Sequence, residues 1–189
     1  EEIWSKLASQ SALRTHILST IAAGFARSDS ELKAFMATTF YAQQQDSWQL
    51  DVTVEKVLQF LKENSMISDA EEELLASKLG SLVSKLYIDP LSAVIMLEAL
   101  ERKRADRSIG QATMKSSPFT PALDLSRAAS KAPTELGLIH LITMTPNMDL
   151  LYVQSADGWV EEFIDQHQSE LYDEDNYDYL LREAKTAAM

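Results

Sequence analysis

Ser65-Met66-Ile67-Ser68-Asp69-Ala70-Glu71-Glu72-Glu73-Leu74-Leu75-Ala76 is the stretch whose reading decides the fold. Its ends, Ser65-Met66-Ile67 and Leu74-Leu75-Ala76, read as two short apolar strands around an acidic turn, Asp69-Ala70-Glu71-Glu72. Upstream lie three helical patterns. From about Ser11 to Phe25, Leu13, Ile17, Leu18, Ile21 and Phe25 recur at three- and four-residue spacing, so one stripe faces a core. Gly24 and Arg27-Ser28-Asp29-Ser30 end that helix and cap the next. The second, about Ser30 to Phe40, presents Leu32, Phe35, Met36 and Phe40. Tyr41 to Leu50 reads as a polar loop. Asp51 is then the expected N-cap of a third helix reaching Asn64, with Val54, Val57, Leu58 and Leu61 inward and Thr53, Lys56, Gln59 and Lys62 outward. Three helices followed by a short β wing make the order of a winged helix.

Downstream, Ser77 is placed to cap a helix ending at Tyr87, with Leu79, Leu82, Val83 and Leu86 inward. Asp89 followed by Pro90 is a helix start, an N-cap with proline in the first turn. The helix from Leu91 to about Arg104 is apolar nearly all round as far as Leu100, which predicts burial between neighbours. Residues 105–133 lose periodicity and collect Gly110, Pro118, Pro121 and Pro133, the pattern of a long flexible loop. Helical patterning resumes from Thr134 to Met144 and breaks at Pro146. A short piece near Met148 to Tyr152 and helices near Asp157 to Leu171 and from Asn176 onward follow. The expected fold is mainly α, with a winged-helix domain over 1–87 and a truncated helical bundle over 88–189. The chain opens on Glu1 without an initiator Met, and its last helical run has no stop signal, so it reads as a piece of a longer protein.

Composition narrows the function. No apolar run approaches the ~20 residues of a membrane span, and no signal segment opens the chain, so a cytoplasmic location is expected. There are no cysteines, which excludes disulfides and thiolate zinc sites. The net charge of −12 is uneven: residues 101–131 carry +4 and residues 132–189 carry −10. An acidic chain has no general attraction for phosphates, but a basic strip within it is a candidate contact.

Catalytic patterns are absent. The glycines stand singly at 24, 80, 110, 137 and 158, so there is no phosphate-cradling loop ending in Gly-Lys-Ser/Thr and no Gly-x-Ser-x-Gly turn. His16, His140 and His167 have no metal-ligand spacing. His140, inside Leu138-Ile139-His140-Leu141-Ile142, reads as a hydrogen-bonded core histidine. Asp173-Glu174-Asp175-Asn176-Tyr177-Asp178 fails as a calcium loop, because Asp178 stands where glycine is needed and Ala184 where a bidentate Glu is needed. The candidate nucleic-acid contacts are Arg102, Lys103, Arg104 and Arg107, with Lys56 and Lys62 on the outward face of the third helix. The bland alternatives are cations at a helix C-terminus and a solvated helix face. Trp48 and Trp159 read as core or interface residues rather than base-stacking ones.

The literal residues go further. Trp4-Ser5-Lys6-Leu7, Ser11-Ala12-Leu13-Arg14-Thr15-His16-Ile17-Leu18 and Ile21-Ala22-Ala23-Gly24-Phe25 resemble the opening of the winged-helix domain in archaeal Hjm-type superfamily-2 DNA helicases, relatives of the helicase portion of theta-type polymerases. Lys78-Leu79-Gly80 with Ser84 to Ala93 resembles that family's junction into its helical ratchet domain. Gly137 to Ile142, Thr145-Pro146-Asn147-Met148 and Leu151-Tyr152 resemble the early helices of that domain, and Tyr179 to Glu183 with Lys185-Thr186-Ala187 the part after them. The resemblance implies a parent motor that moves 3-prime to 5-prime on single-stranded DNA and unwinds forked or lagging-strand DNA in fork repair, associated with the nucleoid. ATP and Mg would sit in RecA-like motor domains in cis, with no cofactor in this stretch, which would brace the motor and orient DNA. It also implies that apolar faces left uncovered here could drive dimers of the isolated chain. The alternatives are the matching region of an RNA helicase, a winged-helix transcription regulator with a helical interaction domain, and a protein-interaction module. A transcription regulator calls for a basic third helix, which this is not.

Overall fold

The computed structural model describes residues 3–44, 46–70, 73–114, 133–172 and 176–189, with the backbone alone over 104–114. The chain divides into two compact units, Glu1–Val94 and Ile95–Met189. It is mainly helical, with a single two-stranded sheet among the described residues.

In the first unit, α1 spans Gln10–Ala22 and α2 spans Asp29–Ala37, each opened by a serine whose hydroxyl accepts a backbone N–H, Ser9 from Ala12 and Ser28 from Glu31. The Glu31 carboxylate also accepts from the Arg27 N–H at 2.8 Å. α3 spans Ser47–Glu63, starting a turn before the expected Asp51 cap. The polar Gln43-Gln44-Gln45 run hides this start. Buried Leu50 lies four residues before Val54 and so extends the same inward stripe through Val57, Leu58 and Leu61. Strands β1 (Ile67–Ala70) and β2 (Glu73–Ala76) pair antiparallel, with Ile67 opposite Ala76 and Ser68 opposite Leu75. Asp69 and Ala70, expected in the turn, belong to β1, opposite Leu74 and Glu73.

α4 spans Lys78–Leu86, capped by the Ser77 hydroxyl, which accepts from the Gly80 N–H at 3.0 Å. Ser77 N–H donates to the Met66 carbonyl at 2.9 Å. The helix lies so close to this carbonyl that a Cβ on Gly80 would overlap it, with Leu18 Cδ1 at 3.3 Å. That approach sets which face of α4 turns inward. Val83 is buried and Leu79 packs on the core, whereas Leu82 and Leu86, expected inward, are more than half exposed. Phe25 is also outside: α1 ends at Ala22, and Gly24 at φ 74° turns the chain away. The core is therefore Leu13, Ile17, Leu18 and Ile21 of α1 with Leu32, Met36, Val54, Leu58, Leu61, Met66 and Leu74.

α5 begins within this unit and spans Pro90–Met114. As its sequence predicts, the Asp89 carboxylate caps it, accepting from the Leu91 N–H at 3.2 Å. The same carboxylate takes a bidentate pair from Arg14 of α1, Nε at 2.9 Å and Nη2 at 2.8 Å, with the Asp89 side chain 1% exposed and that of Arg14 12%. The Arg14 guanidinium lies 5.7 Å from the Phe60 ring centroid of α3.

The second unit holds the remainder of α5 with α6 (Glu135–Thr143), α7 (Trp159–His167) and α8 (Tyr177–Ala188). Helix α5 corrects the loop expected over 105–133, since residues 105–114 are helical; 115–132 lie outside the described residues. Beyond Leu100 the apolar stripe stops, but no proline intervenes before Pro118, so helical backbone continues where periodicity has gone silent. Thr134 and Asn176, where helical patterning was expected to begin, cap α6 and α8 with their side chains. The helical piece expected near Met148–Tyr152 is instead extended chain after a turn at Thr145–Met148. Ala99, Leu141 and Tyr172 form one core cluster, and Val160, Ile164, Leu171 and Ala184 another. No single helix among the described residues is long and apolar enough to cross a membrane.

Two substitutions test this account. Gly80→Ala should lower the stability of the first unit by about 1–3 kcal/mol, read from the urea midpoint, because backbone rather than a flexible side chain must give way. Arg14→Met strands a buried carboxylate and should cost about 3–5 kcal/mol; a loss below 1 kcal/mol would show that the pair is dispensable.

Candidate nucleic-acid interface

The outward face of α3 is less basic than its lysines suggest. Lys56 is exposed beside Glu55. Lys62 is paired with Asp69 of the wing at 2.8 Å. Its pKa is raised, first by that hydrogen bond and then by the charges of Asp29, Asp69 and Glu55. The partner exposures are 34% and 53%, so the pair contributes little stability. Its main effect is to neutralise a cation at the base of the wing. Gln59 donates to Glu63 at 2.8 Å on the same helix.

The four cations on α5 do not share one environment. Arg102 is exposed. Lys103 turns inward, its ammonium donating to the carbonyls of Glu170 at 2.7 Å and Leu171 at 2.5 Å and lying 4.4 Å from the Tyr172 ring centroid. It ties α5 to the chain leaving α7. Arg104 and Arg107 lie on the helical backbone, and their side chains are outside the described part. Helical geometry turns position 104 about 200° from position 102, and Arg107, expected in a loop, lies on the same helix, so the basic strip is distributed around α5.

The same region holds the most buried titratable group. His140 is 0% exposed, and its Nδ1 accepts the Tyr172 N–H at 3.2 Å, which places the proton of the neutral ring on Nε2. The two rings stack with centroids 6.4 Å apart. Nε2 lies 3.8 Å from Glu183 Oε2, too far for a hydrogen bond. Burial, with a smaller contribution from the Lys103 charge, pushes the His140 pKa down to about 4. The core-histidine reading is thus supported. His16 is exposed and meets the Tyr87 hydroxyl at 3.4 Å. His167 is half-buried against Glu170 at 2.9 Å. Trp48 is 67% exposed and Trp159 40%, so neither is a core residue of its unit. Residues 173–175 of the acidic run lie outside the described residues.

The comparisons follow the order of the units. A model described as a helix-turn-helix domain matches residues 1–68, and one described as archaeal helicase, domain 4, matches residues 136–189. The ATP-dependent DNA helicase Hel308 of Methanocella arvoryzae is 38% identical over 201 residues, covering 100% of this chain. The chain belongs to the Hel308 family of archaeal helicases. The Hel308 of Pyrococcus abyssi is 29% identical over 94% of the chain, and that of Methanocaldococcus jannaschii 39% over 58%. The chain spans less than a quarter of each of these relatives: 23% for M. arvoryzae, 22% for P. abyssi and 9% for M. jannaschii.

Sequence reading did not find the partners of the cations. Lys62 and Asp69 meet only because the wing folds back along α3, and Lys103 finds its carbonyls 67 and 68 residues away. No local spacing signals either contact. The buried histidine gives a pH prediction. The folded chain holds His140 neutral down to about pH 4, while the unfolded chain takes up that proton near pH 6.5. Between these values the unfolded state binds more protons, so stability is full above pH 6.5 and declines as pH falls towards 4, by about 3 kcal/mol in all. Urea titrations across this window should show a flatter pH dependence for His140→Gln than for the wild type. Parallel slopes for the two proteins would remove His140 as the cause.

Proposed function

We propose that this chain is the accessory, DNA-orienting and motor-bracing region of an ATP-dependent helicase that moves 3-prime to 5-prime and acts on forked or lagging-strand DNA in fork repair. The observation that carries the reading is the alignment over the whole chain with a protein named as an ATP-dependent DNA helicase, with the helix-turn-helix and domain-4 matches in the same order. ATP and Mg then belong to RecA-like motor domains elsewhere in the parent, and the parent works at the nucleoid. Large apolar side chains left in solvent on the first unit, Trp4, Phe25, Phe40 and Trp48, suit a unit that packs against neighbours. The same surfaces would allow the isolated chain to dimerise.

Within this reading Lys56, Arg102, Arg104 and Arg107 are the cations that meet phosphates, while Lys62 and Lys103 serve the protein through Asp69 and the 170–171 carbonyls. Fluorescence anisotropy of forked DNA against salt tests it. Binding by the isolated chain should be micromolar at best, and changing Arg102, Arg104 and Arg107 together to Ala should reduce the salt slope by about 2–3. Lys103→Ala should instead lower thermal stability and leave the slope alone. An unchanged slope in the triple variant would make these arginines solvated residues only.

A further inference from the structure

The second unit carries a cleft of about 640 Å³ whose polar wall is Tyr152, Tyr179, Arg182 and Asp149 and whose apolar wall includes Met144 and Met148. Three residues of α8, spaced so that they share one face, grip the extended segment beside it. Arg182 Nη2 reaches the Leu150 carbonyl at 3.5 Å, Lys185 Nζ donates to the Tyr152 carbonyl at 2.8 Å, and the Thr186 hydroxyl accepts the Leu151 N–H at 3.0 Å. Lys185 is itself anchored by Asp157 at 2.6 Å. The backbone of Tyr152 is thereby fixed, yet its side chain is 77% exposed. The Arg182 guanidinium lies 4.9 Å from the centroid of this ring and 5.8 Å from that of Tyr179. Arg182 thus lies over the ring of Tyr152, a residue most of whose surface remains in solvent.

We propose that this cleft is a stacking site for one unstacked nucleobase of a single strand, with Tyr152 as the platform. The proposal rests on the nucleic-acid reading above and adds to it a second kind of contact, made by residues other than the α3 and α5 cations. A base has a flat π face and an edge carrying both donors and acceptors. The cleft offers an aromatic face, the Arg182 donors and the Asp149 carboxylate as an acceptor. A cationic side chain is a poorer occupant, because Arg182 already holds the cation position over both rings. A phosphate is disfavoured by the charge of −10 over residues 132–189. The strand is therefore held here by its base and not by its backbone. Fixing Tyr152 before the base arrives removes the entropy cost of ordering the platform.

The test compares a mixed-sequence ten-nucleotide DNA strand with a wholly abasic strand of the same length, each titrated with the 189-residue chain. The wild type should bind the abasic strand at least fivefold more weakly. Tyr152→Ala should weaken the intact strand by about five- to hundredfold, leave the abasic strand unchanged, and leave the salt slope of the intact strand unchanged. Tyr152→Phe should bind the intact strand within twofold of the wild type, which separates loss of the ring from loss of folding. Equal binding of intact and abasic strands by the wild type, or no effect of Tyr152→Ala, overturns the cleft while leaving the phosphate-contact reading standing. Absence of binding to either strand at every salt concentration overturns both.

Discussion

The bidentate pair between Arg14 and Asp89 is the constraint on which the first unit depends. A carboxylate 1% exposed is tolerable only with a partner of matching geometry, and the guanidinium fork supplies one. Asp89 performs two tasks with one group, capping α5 and closing the unit against α1. Arg14 in turn lies over Phe60 of α3, so α1, α3 and the start of α5 converge on a single ion pair. Within the first unit the pair fixes where α5 starts against α1, which hydrophobic contacts, lacking direction, specify only loosely.

A second constraint is the approach of α4 to the Met66 carbonyl at Gly80. It turns Leu82 and Leu86 outward together with Tyr87. Apolar residues at helical spacing are thus a surface here, and the fold exposes them because the backbone contact leaves no alternative rotation of the helix. Such a surface is consistent with a segment that spans under a quarter of its relatives' length.

Several cations among the described residues are committed internally. Lys62 is balanced by Asp69, Lys185 by Asp157, and Lys103 donates to the carbonyls of Glu170 and Leu171 in the turn after α7. The net charge of −12 leaves the chain without a general attraction for a polyanion. The proposed stacking on Tyr152 would add to the α5 arginines a contact that acts without requiring a positive field.

The sequence by itself determined the winged helix, the caps at Ser28, Ser77 and Asp89, and the family, because caps and short-range periodicity are local properties of the chain. It misplaced the start of α3, the end of α5 and the faces of Phe25, Leu82 and Leu86. In the first two cases helical backbone persists where the apolar stripe is weak. In the others, a turn at Gly24 or a backbone contact at Gly80 overrides the pattern. Which cations are engaged and which are available was decided only by tertiary structure. An ion pair between residues 14 and 89, or a lysine meeting carbonyls 67 residues away, depends on long-range approach that no spacing in the chain encodes.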